Sequence, residues 1–551
     1  MRLLPVLAVP ALALACSSSA PSRDTIGVSL DGGELTAEGG SGGSGSASAS
    51  VTSAPQSSGP GSDTAADGSG GLKLDVGGVI DLGGDDTGGA VPPSCDNIED
   101  FPDTSVGCEF WAAQVPSSPS ALPYGISVGN PGQQVANVVI EDMRGPGGTL
   151  RQITAVQLDP TASQLVSING NGGLLPAENH VVAGQGLTAH GGFRITADVP
   201  ITAMQIFPVG GGPSHVAEAS LLLPINALDV SYLSVGYPHY GGGAGWTVVV
   251  ATQDATTVST TQGDVMLDAF DTWTFVSGSD ATGFFVGADA PVAVFSGTEC
   301  TMVPGLPWYA CDHIEEQVVP LASWGQSYVA PRHPQRVPAI NPTPETVYWR
   351  VVAAADDTTI TLHPPVAGNG GTITLASIGD FYEFNTPESF TADGDQPFML
   401  LQYMSGCYNV VVSSGAPDNC DQGATGDPYM IQVTPVEQWL TSLPFLTDTS
   451  YPRDFVMLMR EVGTTVSIDC LGVVDDTHFT AIPGTSYEVG YVDLDIDGLG
   501  GEGNCVDGQQ FLQADAPVGV LVGGVDWATS YGYPGGMSLG SLWTPPTEPP
   551  G

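Results

Sequence analysis

Ala288-Asp289-Ala290-Pro291-Val292-Ala293-Val294-Phe295-Ser296-Gly297 sets the pattern on which the fold turns: an acid, a spacer, a proline and then an apolar run of strand length. The same entry recurs at Asp198-Val199-Pro200-Ile201, Asp395-Gln396-Pro397-Phe398 and Asp515-Ala516-Pro517-Val518. Its prolines return at intervals of roughly a hundred residues. Upstream of the last three stands a second shared element, Thr256-Thr257-Val258, Thr358-Thr359-Ile360 and Thr464-Thr465-Val466. Proline has no N–H for a ladder and Asp favours a turn, so each proline is expected at the first position of its strand. The repeated unit is then a β-module of about 100 residues, a common sandwich size. The fold class expected is all-β, in tandem β-sandwich-like repeats; a β-propeller-like closed array is the alternative.

The rest of the folded region uses the same vocabulary. Trp246-Thr247-Val248-Val249-Val250-Ala251-Thr252, Val347-Tyr348-Trp349-Arg350-Val351-Val352 and Phe455-Val456-Met457-Leu458-Met459 are strand-length runs rich in β-branched and aromatic residues. The best helical candidates are Ile314 to Ser323 and Val436 to Leu443.

The chain divides into a signal peptide at 1–15, a tether at 16–94, the β domain at 95–543 and a Pro-rich tail at 544–551. Arg2 precedes an apolar, proline-interrupted run that is too short to span a bilayer. Leu12-Ala13-Leu14-Ala15-Cys16 resembles a bacterial lipobox, which makes Cys16 a lipidation site; ordinary secretion with a free thiol is the alternative. Ser17 after that cysteine favours the outer membrane, so the expected location is the outer membrane or cell surface, lipid-anchored. From Ser17 to Ser94 the Gly/Ser/Ala/Asp-rich composition cannot bury a core, and such a chain reaches about 50 Å.

Nine cysteines less Cys16 leave eight, an even set that reads as disulfides in an exported chain. Eight allow 105 connectivities. The pairing expected is that of sequence neighbours, which closes the shortest loops, Cys95-Cys108, Cys300-Cys311, Cys407-Cys420 and Cys470-Cys505, and the other connectivities stay open. The net charge of −48, with Lys73 the single lysine, excludes nucleic acid as a partner, because phosphate backbone needs clustered bases.

Several stretches carry a family resemblance: Gly107-Cys108-Glu109-Phe110-Trp111, Ala217-Glu218-Ala219-Ser220-Leu221-Leu222-Leu223-Pro224, the Ala288 to Gly297 run, and Cys311-Asp312-His313-Ile314-Glu315-Glu316-Gln317 followed by Pro320 and Trp324-Gly325. Together they resemble the N-terminal domain of IgGFc-binding proteins, found in secreted animal mucin-like proteins and in bacterial surface proteins, over roughly residues 95 to 540. Ala217-Glu218 depart from the family's Asn-Asp. The resemblance implies a non-enzymatic recognition or adhesion module with an extracellular protein or glycan ligand. It does not carry immunoglobulin over as that ligand. A structural envelope component without soluble ligand, or a secreted hydrolase, are the rival readings.

Four groups are candidates for chemistry. Asp312, His313 and Glu316 beside Cys311 have the types for metal binding or acid/base work; as a helical turn they would instead make a hydrogen-bonded knot. Asp493, Asp495 and Asp497, ending in Gly498, open like a calcium loop, but Asn504 stands where an EF-hand needs Glu. No cofactor is expected: a solvated acidic strand-to-loop junction is the plainer reading of these carboxylates, with a calcium site the alternative. Gly536-Met537-Ser538-Leu539-Gly540 matches a nucleophile elbow by letter, yet it follows the last histidine, His478, in a Gly-rich stretch. Trp308, Tyr309, Trp527 and Tyr531 are candidate contact aromatics, with core packing the plainer role. No catalytic residue is assigned, and the chain is not expected to be an enzyme.

Overall fold

The computed structural model describes residues 94–549 apart from 99–103, 118–122, 170–172, 176–181, 212, 213, 215, 242, 243, 307–310, 339–342 and 414–425. The expected signal peptide, Cys16 and the tether to residue 93 lie outside the described residues, as do Trp308, Tyr309 and Cys420.

Nearly all regular structure is antiparallel β, in four modules. The first holds β1 (Gly107–Ala113), β2 (Gly125–Gly129), β3 (Ala136–Gly145), β4 (Thr149–Leu158), β5 (Ser163–Ser167), β6 (Gly186–Thr188), β7 (Gly192–Phe207) and β8 (Glu218–Leu221). The second holds β9 (Asp229–Leu233), β10 (Gly245–Ala251), β11 (Thr256–Thr260), β12 (Gly263–Leu267), β13 (Thr272–Ser277), β14 (Phe285–Thr301) and β15 (Asp312–Gln317). The third holds β16 (Ser327–Ala330), β17 (Val347–Ala353), β18 (Thr358–His363), β19 (Thr372–Leu375), β20 (Phe381–Thr386), β21 (Phe390–Gly394), β22 (Phe398–Tyr403), the helix α1 (Cys407–Ser413) and β23 (Met430–Gln432). The fourth holds β24 (Leu440–Leu446), β25 (Arg453–Glu461), β26 (Val466–Ile468), β27 (Gly472–Val473), β28 (Phe479–Ala481), β29 (Tyr487–Ile496), β30 (Gln509–Asp526) and β31 (Thr529–Pro534).

One topology is repeated in all four. A long strand, β7, β14 or β30, runs through both layers of a sandwich; in the third module it is split into β21 and β22. The first strand of each module (β1, β9, β16, β24) pairs with the first half of that long strand. The second (β2, β10, β17, β25) pairs with its second half. A hairpin strand (β3, β11, β18, β26) returns to the first half, and the last strand (β8, β15, β23, β31) to the second.

The Asp-x-Pro entry sits at the point where the chain passes between layers. Pro200, Pro291 and Pro517 lie inside β7, β14 and β30, not at a strand start as expected, and the ladder registers shift there. At such a corner the missing N–H is harmless, because the backbone is leaving one ladder before joining the next. Pro397 stands between strands, one residue before β22. The two repeated elements prove to be partners. Asp289 Oδ1 accepts from Thr257 N at 2.8 Å, Asp395 Oδ1 from Thr359 N at 2.7 Å and Asp515 Oδ1 from Thr465 N at 2.8 Å. In the first module Asn137 N donates to Asp198 Oδ1 at 2.8 Å.

The modules close on themselves. β8 packs against β15 and β31, and β23 packs against the same two, so the four final strands form a ring. The structure thus combines the two architectures the repeat allowed: sandwich-like modules in a closed array. Trp111, Trp246, Trp324 and Trp349 are fully buried in the cores. The links between modules are 3-10 turns at Ile225–Ala227, Leu321–Ser323 and Val436–Gln438, each after a proline.

These turns correct the helical expectations. Residues 314–317 are laddered to β14, and Pro320 inside a helix would remove one of its hydrogen bonds. Leu440 to Leu443 are likewise paired with β30. After β31 the chain crosses the links as a strap. Ser538 N donates to Gln438 O (2.9 Å), Leu542 N to Ala322 O (2.8 Å) and Trp543 Nε1 to Leu321 O (2.9 Å), while Pro546 O accepts from Ser231 Oγ (2.6 Å). Among the described residues no helix is long and apolar enough to cross a membrane.

Candidate functional site

Of the acidic candidates, Asp312, His313 and Glu316 fall on β15, a strand buried along its whole length, so the expected helical turn is corrected to an extended one. Alternation puts Asp312 and Glu316 on one face and His313 on the other. His313 Nε2 lies 3.1 Å from Glu315 Oε2, and its ring stacks on Trp246 at 5.9 Å. Gln205 Nε2 donates to the other Glu315 oxygen at 3.1 Å.

The opposite face looks into the centre of the ring, where side chains of one module cap the backbone of others. Glu218 of β8 accepts from Gly532 N of β31 (2.9 Å) with Oε1 and from Met430 N of β23 (3.3 Å) with Oε2. Glu316 accepts from Gln432 N (3.4 Å) and from Ser220 Oγ (3.4 Å). Gln432 Nε2 donates to Gln317 O (2.8 Å), and Ala217 N to Thr529 Oγ1 (3.0 Å).

Burial holds the carboxyls of Glu218, Glu316 and Asp312 well above the usual carboxylate range, and neighbouring acids add to it. Asp427, whose Oδ1 accepts from Cys407 N at 3.1 Å, is pushed by burial up to about 8. A protonated carboxyl both donates and accepts, which suits a centre that is closed to solvent. These groups fasten four modules, and Glu218, Glu315 and Glu316 are spent on hydrogen bonds.

Asp493, Asp495 and Asp497 are not brought together as a ligand set. Asp493 Oδ1 accepts from Arg453 Nε at 2.9 Å. Asp495 is buried and caps the following turn, accepting from Gly498 N (2.6 Å) and Gly500 N (2.7 Å). Asp497 is exposed. Among the described residues no group of three or more His, Cys, Asp or Glu is placed to hold a metal ion. Asp495 lies instead beside Asp507, whose pKa burial and that neighbouring charge push up to about 7. Ser538 lies in the extended strap between buried Met537 and Leu539, without the strand-turn-helix of an elbow. Tyr531 is buried at the ring, whereas Trp527 is exposed at the β30–β31 turn.

Three disulfides join Cys95 to Cys108, Cys300 to Cys311 and Cys470 to Cys505. Cys407 is also disulfide-bonded.

What faces solvent is decided by how the bases are used. The described residues contain no lysine and eight arginines, none of them exposed. Arg151 is paired with Asp142, Arg194 with Glu141, Arg336 with Glu345, Arg453 with Asp493, and Arg460 with Asp476 and Glu488. Arg144 donates to His190 O, and Arg332 lies over the Tyr491 ring. Arg350 bridges the second and third modules, donating to Asp280 (2.7 Å), Gly236 O (3.0 Å) and Glu383 (2.9 Å). Every arginine of the described residues is thus buried or half-buried, and none stands exposed among their surface carboxylates.

Sequence reasoning missed Glu218, Asp427, Gln432 and Arg350. Glu218 carried a signal, an acid inside the otherwise small and apolar run Ala217 to Leu223. The others did not: Gln432 and Arg350 find partners in the second module, and Asp427 meets Cys407 N only through tertiary folding of the third.

The described residues thus form a ring of β-sandwich modules whose buried acids Glu218 and Glu316 are spent on assembly. Residues 218–524 match the family described as IgGFc binding protein, and the chain belongs to that family. It is 25% identical over 355 residues to the human "IgGFc-binding protein", an alignment covering 60% of this chain and 6% of that protein. The chain therefore corresponds to a small part of its relative's length. No solved structure matches it.

Proposed function

We propose that the chain is a lipid-anchored protein of the outer membrane or cell surface whose β ring binds an extracellular protein ligand without catalysing a reaction. Membership of a family named for binding carries this reading. Support comes from the ring centre, where Asp312, His313 and Glu316, the sequence's candidates for acid/base work, are sealed from solvent, the two acids accepting from backbone N–H groups and His313 held by Glu315. The lipobox-like Leu12 to Cys16 and the long Gly/Ser tether support attachment and reach. Calcium is left out of this reading, since Asp493 and Asp495 already have partners. The ligand named for the human relative is not transferred.

Metabolic palmitate labelling of cells producing the full chain, with surface biotinylation, tests the anchor and its location. The expected result is a labelled, surface-accessible protein that Cys16→Ser releases unlabelled into the medium. An unlabelled wild type that stays with the cell would overturn the anchoring. Saturable capture of extracellular protein by producing cells, abolished when the disulfides are reduced, tests the recognition.

A further inference from the structure

The internal repeat provides its own comparison. In the second module the sheet does not end at β13: β6, contributed by the first module, adds to it as one more antiparallel strand. In the fourth, β28 adds in the same way to β29. The equivalent strand of the third module is β20, and there the position is vacant: among the described residues β17 is its only ladder partner. The first module's β5 is also an edge, but Leu174 N donates to Ser167 O there and the strand carries no acid.

The vacant edge differs from the filled ones in what it shows to solvent. Phe381 and Tyr382 are 39% and 40% exposed. Asp380, Glu383 and Glu388 around them are exposed carboxylates, with Asp356 and Asp357 at the neighbouring β17–β18 turn. The nearest base, Arg350, is buried beneath, over the Phe381 ring at 4.4 Å and tied to Glu383. An edge strand offers N–H and C=O groups to any extended chain, and side chains at alternate positions select which chain docks. Phe381 and Glu383 share one face of the strand and Tyr382 the other.

Resting on the reading of the domain as a protein-binding module, we infer that the edge of β20 is the docking site, and that its partner is an extended basic segment of another protein added as an antiparallel strand. Basic side chains of that segment lie over Phe381 beside Asp380 and Glu383, and apolar ones pack on Tyr382. The acidic field draws the segment in, and the ladder sets its register.

The probe is a peptide of β20's length alternating lysine and valine. It is compared with the same peptide N-methylated on alternate residues and with a glutamate-valine counterpart, using the intact protein. Binding is followed by fluorescence anisotropy across a salt series, and the site is located by hydrogen exchange. The expected result is salt-sensitive binding of the lysine peptide alone, with protection gained at 381–386. Tyr382→Ala and Glu388→Lys, side chains outside the Arg350 bridge, should each weaken it roughly tenfold while leaving the melting temperature unchanged.

Equal binding of the N-methylated peptide, or protection spread over the acidic surface, would overturn strand addition in favour of diffuse adhesion. Concentration-dependent protection of 381–386 without peptide would replace the partner by a second copy of this chain. If cells carrying Tyr382→Ala still capture extracellular protein at wild-type levels, the recognition reading stands and the β20 site falls.

Discussion

Arg350 carries a buried charge at the seam of two modules, with Asp280 and Glu383 as counter-ions and the rings of Tyr237 and Phe381 on either side. Burial opposes its charge, but the Tyr403 hydroxyl and the two carboxylates more than offset this, and its pKa stands above the ordinary arginine value. Replacing it by methionine keeps the bulk and removes the cation, which leaves Asp280 and Glu383 facing each other. Chemical denaturation of Arg350→Met should show a loss of about 3 kcal/mol, the low end for a broken buried pair because Glu383 keeps some water. Arg350→Lys should fall between, since one ammonium cannot span both acids and the Gly236 carbonyl. The corner aspartates make a smaller, repeated contribution. Asp515→Ala leaves Thr465 N without its acceptor and should cost about 1 kcal/mol, whereas Asp515→Asn, which keeps an oxygen there, should cost less.

At the scale of the element, the four Asp-x-Pro entries and the Thr-Thr runs were readable because each is local: a proline, a turn-forming acid and a strand within a few residues. Their meaning was only half readable. That Asp289 bonds Thr257 N, and that Pro291 marks a corner inside β14, depends on strands brought together from more than thirty residues away. Asp312 and Glu316 were readable as a pair on one face, since spacings of four suit both a helical turn and a strand; the ladder to β14 decided for the strand. Glu218 and Asp427 become partners of that pair only when the modules close. The Cys470–Cys505 bridge was legible as a pair of chain neighbours, with a separation of 35 residues, and it pins the β29–β30 loop to the end of β26. By the chain-entropy relation a loop of this length is worth roughly 3–4 kcal/mol. Cys470→Ser with Cys505→Ser should lower the denaturation midpoint accordingly, and hydrogen exchange should quicken first in the β29–β30 loop.

Taken whole, the molecule places acids where four modules meet and supplies little positive charge to balance them. Glu218, Glu316, Asp312 and Asp427 all have folded-state pKa values raised chiefly by burial, with Asp427 near 8, and Asp507 in the fourth module stands near 7. In the unfolded chain the same groups titrate near 4. A carboxyl raised on folding binds its proton more tightly in the folded state, so its stabilising contribution is complete below pH ~4 and is lost as pH rises through the folded value. The ring should therefore tighten in mild acid and loosen through neutrality into weak alkali, the opposite of a protein held by carboxylates salt-bridged on folding. Thermal unfolding followed between pH 5 and 9 should show a falling melting temperature, steepest below about pH 7 where the folded state still holds protons the unfolded chain has lost, and less steep as first Asp507 and then Asp427 ionise in the folded ring. Asp427→Asn keeps an acceptor for Cys407 N without the titration, and it should make the descent shallower up to about pH 8 while leaving the contribution of Asp507 below about pH 7. A melting temperature that stays level or rises over this range would show that these carboxyls are ionised in the folded ring.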